Sequence, residues 1–209
     1  MQTAAAETRP YHHGDLRRAL VEAGRHLLEA EGNADISLRA VAREAGVSPA
    51  APYHHFRDKS ELLDALALEG WDQLATEMRA ALDADGAGSN RLVTMGVAYV
   101  NFARANPAIY RVMFACSLNH ETMPEKLREE GAYKLVCETL IESGIDPDDE
   151  IGLELAAAAV WCAAHGVAEM VSLKEFEPLR NHLGGEDAFL RAIFSQLDLF
   201  RPASGRRVA

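Results

Sequence analysis

The sequence predicts an all-α protein in which a three-helix head at the N-terminus precedes a larger helical bundle, with about nine helices in total. Two observations predict this class. Apolar residues recur at helical spacing through most of the 209 residues. Residues that begin and end helices, mainly Asn, Asp, Gly and Pro, stand between these segments. We identify neither a strand pattern nor an internal repeat.

The head is predicted to occupy residues 11–60, after a disordered N-terminus at 1–10. Its first helix runs from Asp15 to about Glu31. Gly32 ends that helix, because glycine readily adopts the backbone conformation found just beyond a helix C-terminus. The apolar stripe of this helix comprises Leu16, Leu20, Ala23, Leu27 and Leu28. We expect the helix to brace the two short helices that follow it.

The stretch from Ser37 to Phe56 predicts two short helices around a tight turn. Four apolar residues of the first helix share one face, namely Leu38, Val41, Ala42 and Ala45. Gly46 supplies the positive φ needed where this helix stops. Ser48 is a helix-capping residue type, and Pro49 then takes the first position of the second helix. A helix, a short glycine-containing turn and a second capped helix form the pattern of a DNA-binding helix-turn-helix.

Capping and breaking residues bound the later helices. Asp58 and Glu61 predict a capping box that begins a long helix. Asn106-Pro107 separates two helices, because the residue before proline is biased away from helical geometry. The predicted ranges are 58–84, 91–105, 107–116, 123–143, 150–173 and 186–200. Residues 61–203 are predicted to form the second domain, and 204–209 a frayed tail.

The two parts of the chain differ in charge. Residues 1–60 contain eight Lys or Arg and eight Asp or Glu, so they are neutral. Residues 61–209 contain thirteen basic and twenty-four acidic residues, which account for the whole net charge of −11. Phosphate would repel the acidic part, so only the N-terminal part is a plausible DNA-binding face.

Other function classes lack the residues they need. No run of eighteen apolar residues and no signal peptide is present, so we expect neither a membrane span nor a membrane partner. Cys116, Cys137 and Cys162 are widely spaced, which favours a reduced, cytoplasmic chain. The pairs Cys116–His120 and Cys162–His165 have too few ligands for zinc. We therefore predict no enzyme activity, no catalytic or metal-binding residues and no cofactor.

Four motifs occur together in a fixed order. They are SLRAVA at 37–42, AGVS at 45–48, YHHF at 53–56 and DKSEL at 58–62. This combination resembles the helix-turn-helix of the tetracycline-repressor (TetR) family of bacterial regulators. The resemblance covers residues 15–63 well, and the rest only as a general helical pattern. One further match, Trp161 with His165-Gly166, resembles the W…HG branch of the family's C-terminal domains.

The resemblance implies which residues contact DNA. The second helix of the motif would enter the major groove with Pro49, Ala50 and Ala51 at its base-facing first turn, and Ser48, just before them, is a further DNA-binding candidate. Arg39 would reach a guanine edge, whereas the prolyl and alanyl side chains offer only apolar contact to thymine methyl groups. Phosphate or sugar contacts are implied for Ser37, Tyr53, His54, His55 and Lys59, with Tyr11, His12 and His13 as additional candidates. His55 fits a packed core histidine equally well.

The resemblance also implies a homodimer. Small residues at 156–159, with Ala163, Ala164 and Gly166, would let a neighbouring helix approach closely. The last two long helices, 150–173 and 186–200, would form a four-helix bundle across a two-fold axis. Their apolar partners would include Phe189, Ile193, Phe194, Leu197 and Phe200. Two-fold symmetry then implies a palindromic operator, because one recognition helix reads only half a site.

A small-molecule pocket is expected among the middle helices. Its candidate residues are Met95, Tyr99, Phe102, Tyr110, Met113, Phe114, Trp161, Cys162 and His165. Each of them fits a plain core position as well, and Trp71 is expected to pack where the two parts meet. The sequence thus predicts a ligand-responsive regulator, by family default a repressor released from its operator by a small molecule. An activator of the same family and a helical adaptor without DNA binding are the alternatives.

Overall fold

A computed structural model of the chain describes residues 13–32, 34–86, 90–115 and 124–197. Within them every regular element is helical, which confirms the all-α prediction. The α-helices are α1 (His13–Glu31), α2 (Leu38–Glu44), α3 (Lys59–Asp85), α4 (Arg91–Ala105), α5 (Pro107–Ala115), α6 (Glu125–Glu130), α7 (Ala132–Glu142), α8 (Glu150–Met170), α9 (Glu177–His182) and α10 (Glu186–Gln196).

Several predictions lie outside the described residues. They concern the disordered segment 1–10, the frayed tail 204–209, the side chains of Tyr11, His12 and His13, and Cys116, His120 and Phe200.

The turn after α2 has the predicted geometry. Gly46 has φ +68°. Its N–H donates to the carbonyl of Arg43 at 3.2 Å, and the N–H of Val47 donates to the carbonyl of Ala42 at 2.9 Å. These two bonds form a Schellman motif, which satisfies carbonyl groups at the end of the helix. A glycine at this position therefore fixes the angle at which the chain leaves α2.

The second element of the helix-turn-helix differs from the prediction. It is not an α-helix but a four-residue 3₁₀ helix, Ala51–His54, preceded by a turn at Pro49. The N–H of Ala51 donates to the carbonyl of Ser48, which is a bond over three residues. Pro52 has no N–H with which to continue an α-helical ladder from Ser48. Two prolines within four residues thus explain the tighter element.

Two further boundaries differ from the prediction. The single helix expected at 123–143 is divided into α6 and α7, which meet at the extended residue Gly131. The loop expected between the last two long helices contains α9, with Pro178 in its first turn. Proline is well tolerated at a helix start, where its missing N–H needs no partner.

The long helix α3 runs through both parts of the molecule. Asp58 caps it by accepting a hydrogen bond from the N–H of Glu61 at 3.0 Å, as predicted. The Glu61 side chain accepts from the N–H of Arg57, one residue before the expected partner. One face of α3 is buried from Leu62 to Leu82, against α1 in the head and α4 and α5 in the bundle. A single apolar cluster therefore connects the head to the bundle.

Helix α4 is the centre of the bundle, and α10 packs on it through aromatic side chains. Phe189 and Phe194 are 1 % and 0 % exposed. The prediction that these two residues contact a second protomer is therefore wrong, because their rings are buried within one protomer. Ile193 and Leu197 remain half-buried at the surface.

Helix α8 exposes an apolar stripe that no described residue covers. Ile151, Leu155 and Met170 are 72 %, 66 % and 54 % exposed. Cys162 and Gly166 lie between them at helical spacing and are also exposed. By length and composition alone, α8 is the one described helix that could cross a membrane. A stripe of this kind is equally typical of a protein–protein contact.

The contact between α4 and α10 leaves no room for a side chain at Gly96. A Cβ atom there would lie 2.9 Å from Cζ of Phe194. We expect Gly96→Ala to lower the free energy of unfolding by about 1–2 kcal/mol, because overpacking outweighs the better helix propensity of alanine. Denaturant unfolding at one fixed protein concentration measures this. The control Gly24→Ala meets nothing closer than 3.4 Å. Equal stability of the two variants would contradict the packing argument.

Candidate functional site

The start of α2 presents two of the predicted DNA-binding side chains. The Oγ atom of Ser37 accepts a hydrogen bond from the N–H of Ala40 at 3.1 Å and caps the helix. This bond uses the hydroxyl oxygen as an acceptor, so its proton remains available to a phosphate oxygen. Arg39 is exposed, and its side chain makes no hydrogen bond or ion pair to another described residue. Both groups are therefore free to contact a partner.

Residues 49–52 lead into and begin the 3₁₀ helix, and we call them the 3₁₀ segment. This segment presents an apolar surface. Ser48, Pro49 and Ala50 are exposed, and Ala51 is half-buried. Pro52 is buried and holds the segment against the head. The side chains of Pro49, Ala50 and Ala51 carry neither donors nor acceptors. The part of the head that the family motif places in the major groove therefore has Ser48 as its only polar side chain before Tyr53.

The residues after this segment alternate between surface and core. Tyr53 is 53 % exposed and His54 is exposed. Phe56 is 1 % exposed, and the guanidinium group of Arg17 lies 5.2 Å from its ring centroid. His55 is half-buried, which suits both of its predicted roles. Burial of Phe56 fixes the direction in which Tyr53 and His54 point away from the head.

Lys59 stands at the capped N-terminus of α3. Its Nζ atom lies 3.5 Å from a carboxylate oxygen of Asp35, and both side chains are open to solvent. An exposed ion pair of this kind contributes little stability. It holds the ammonium group beside the helix-turn-helix. Hydrogen bonds from Arg57 lower the pKa of the Glu61 carboxyl, so this side chain stays negatively charged in the first turn of the helix.

The bundle contains a buried polar network that the sequence pattern did not reveal. The hydroxyl oxygen of Tyr110 lies 2.6 Å from Nδ1 of His165. The hydroxyl oxygen of Tyr99 lies 3.2 Å from the same nitrogen and 3.1 Å from the Tyr110 hydroxyl. Burial raises the pKa of both phenols, so both hydroxyls stay protonated at physiological pH. The network joins α4, α5 and α8.

Aromatic rings surround this network. Trp71 of α3 lies 5.3 Å from Phe114 and 5.8 Å from Trp161, measured between ring centroids. Trp161 lies 5.2 Å from Tyr99, and Phe114 lies 4.7 Å from His165. Edge-on pairs at these distances are favourable beyond the apolar area that they bury. Trp71 is expected where the two parts meet, but its ring contacts lie within the bundle, with Phe114 of α5 and Trp161 of α8.

A cavity of about 350 Å³ opens beside Tyr110, between the end of α4, the start of α5 and α8. Its lining mixes charged, polar and small residues. These are Ala103, Arg104, Pro107, Tyr110, Arg111, Ala168, Glu169 and Ser172. Arg104 already pairs with Glu186 at 2.8 Å. The cavity is large enough for a small organic molecule.

The remaining pocket candidates divide between core and surface. Met95, Phe102 and Met113 are 0–3 % exposed and pack in the core. Cys162 does not lie with the aromatic rings. It borders an apolar groove of about 300 Å³ on the outer side of α8 and α10. The described residues contain no group of three or more His, Cys, Asp or Glu arranged to hold a metal ion.

Comparisons with known proteins agree with this architecture. Residues 20–66 match the family described as bacterial regulatory proteins, tetR family, and residues 92–195 match the tetracyclin repressor-like C-terminal domain. A solved protein of unknown function from Rhodococcus sp. RHA1 is 30 % identical, with a TM-score of 0.65 over 93 % of this chain and 98 % of that one.

Two structures of lower identity share the fold. A tetR-family regulatory protein from Rhodococcus RHA1 is 23 % identical, with a TM-score of 0.58 over 88 % of this chain and 95 % of its own. TetR from Acinetobacter baumannii AYE is 18 % identical, with a TM-score of 0.58 over 91 % and 95 %. The W…HG branch stays a prediction. The chain belongs to the TetR family of bacterial DNA-binding transcriptional regulators, which are not enzymes.

Proposed function

We propose that this regulator is a cytoplasmic homodimeric repressor that binds a palindromic operator and is released when a small molecule binds its bundle. The observation that carries the proposal is the continuity of α3. Lys59 stands at its first turn beside the DNA-facing residues, and Trp71 belongs to the aromatic cluster twelve residues later. At 1.5 Å per residue the two positions are about 18 Å apart on one helix. A movement at the cluster would therefore turn the head.

We assign DNA contact to the exposed and half-buried residues of the head. Arg39 would donate to a guanine edge, and the Pro49 side of the 3₁₀ segment would face the bases. The remaining proposed contacts are to phosphate or sugar, from Ser37, Ser48, Tyr53, His54, His55 and Lys59. None of these residues is buried, which supports the assignment. Phosphate contacts position the head, and base contacts select the sequence.

We assign dimerisation to the outer face of α8 and the neighbouring edge of α10. The exposed stripe of α8 continues into the apolar groove, which Ile193 and Leu197 border from α10. Gly166 has open space around it, so a partner helix can approach its backbone. Burial of this stripe in a dimer also accounts for the apolar composition of α8 without a membrane. Residues 61–203 thereby serve both sensing and dimerisation.

We assign effector binding to the cavity beside Tyr110. A ligand that hydrogen-bonds to the Tyr110 hydroxyl would compete with His165, and the change would pass through Trp161 to Trp71. The favoured spacing of the two heads would then no longer match successive major grooves.

A gel shift with the promoter region next to the protein's own gene tests the proposal. Failure to bind any DNA would favour the helical adaptor.

Substitutions at the two residues of the Lys59–Asp35 ion pair should change DNA affinity in opposite directions. Lys59→Ala should weaken binding evenly across DNA sequences and reduce the slope of log K against log salt by about one per protomer. Asp35→Asn should strengthen binding, because it removes a carboxylate that competes with phosphate. Salt titrations of operator binding measure both. Lys174→Ala, on the surface of the other domain, is the control and should change neither quantity.

The exposed stripe of α8 predicts the effect of a charge at its centre. Leu155→Glu should convert the dimer to a monomer and lower operator affinity at least about ten-fold, because one head cannot hold both half-sites. Sedimentation and gel shifts measure the two effects. Ile141→Glu changes a partly exposed residue of α7 and serves as the control. If the Leu155→Glu variant stayed dimeric, the interface would not lie on this stripe of α8.

A further inference from the structure

We propose that the 3₁₀ segment selects its operator by packing against the C5-methyl group of thymine, so that 5-methylcytosine can take the place of thymine at the contacted positions. This inference rests on the proposed DNA-binding role of the head. It adds the chemistry of base selection, and with it a sensitivity of the regulator to methylation of the DNA.

The side chains of the segment that face outward have no hydrogen-bonding groups. Pro49 and Ala50 are exposed and Ala51 is half-buried, and their side chains present only C–H groups. In the major groove each base pair is distinguished by its donors, its acceptors and, for thymine alone, a methyl group. A side chain without donors or acceptors cannot distinguish the first two features. The methyl group is the feature that such a surface detects.

Hydrogen bonds and two proline rings hold the segment in one conformation. The N–H groups of Ala51 and Tyr53 donate to the carbonyls of Ser48 and Ala50 at 3.0 and 3.2 Å, and Pro49 and Pro52 have no N–H. The proline rings also fix φ. Pro52 is anchored in the core of the head, so the segment cannot rotate to present other groups. The surface that residues 49–52 offer to the bases is therefore apolar and constant.

The size of the effect follows from the area of one methyl group. Burying one methyl group is worth about a four-fold change in affinity. A dimer meets each contacted base pair once in each half-site. Replacing thymine by uracil in both half-sites should therefore weaken binding about fifteen-fold.

The experiment uses the full-length protein and a DNA fragment that it selects from a genomic library. Each thymine of the half-site is replaced by deoxyuridine, in both halves together, and affinity is measured at one salt concentration. At each sensitive position the T·A pair is then replaced by C·G and by 5-methylcytosine·G. We expect C·G to bind about fifteen-fold more weakly than T·A and the methylated pair to recover affinity to within about three-fold.

The methylated pair separates the proposal from recognition of DNA shape. A G·C pair places an amino group in the minor groove whether or not its cytosine is methylated. If the protein recognised the groove width of A·T pairs, 5-methylcytosine would not restore binding. A hydrogen bond to the O4 atom of thymine would also be lost in the methylated pair, since cytosine carries a donor there. Restored affinity therefore identifies the methyl group.

A protein variant tests the same contact from the other side. Ala50→Gly removes the exposed methyl group of the segment, and it should lose most of the sensitivity to uracil at one position. Ala34→Gly changes another exposed alanine near α2 and should keep that sensitivity. Uracil without effect at every position, or 5-methylcytosine that fails to restore binding, overturns the proposal and leaves the DNA-binding role intact. Failure to select any fragment overturns the DNA-binding role itself.

Discussion

The packing of α3 is the constraint on which the rest of the structure depends. Its buried face meets α1 at one end and the bundle helices α4 and α5 at the other, within one continuous apolar cluster. The head is therefore joined to the bundle through one continuous helix, and in the proposed mechanism a change in how the bundle packs alters the position of the head. The cap at Asp58 fixes where the helix begins, and so where Lys59 stands relative to the DNA-facing residues.

In the proposed function, helix α8 serves both sensing and assembly. Trp161 and His165 point to the aromatic cluster, whereas Cys162 and Gly166 lie on the exposed stripe. His165 contacts Tyr110 at the edge of the proposed effector site, whereas Cys162 and Gly166 face the proposed partner protomer. A ligand that moved α8 would act on the proposed dimer contact as well as on α3.

The head offers DNA few hydrogen-bonding side chains, because its central segment consists of prolines and alanines.

Much of the fold could be predicted from the sequence, because its signals are local. Gly46 at the turn and Asp58 at the cap each act within four residues, and the structure has both as expected. The 3₁₀ segment differs because Pro49 and Pro52 together remove the donors of an α-helix. The direction of Phe189 and Phe194 could not be predicted, since an apolar helix face fits a core and an interface equally well. The network of Tyr99, Tyr110 and His165 was also beyond prediction as a unit, because 55 and 66 residues separate its partners along the chain.

In the proposed assembly, two copies of this head, held by α3 and joined through α8, read one symmetric site. This assembly can be tested by selecting genomic DNA fragments with the purified full-length protein and then measuring the mass of the complex with the best fragment. We expect an inverted repeat with half-site centres one helical turn, about 10 base pairs, or a multiple of it apart. We also expect an even number of protomers on each site. A single unrepeated half-site that binds one protomer, or the absence of any enriched fragment, would contradict it.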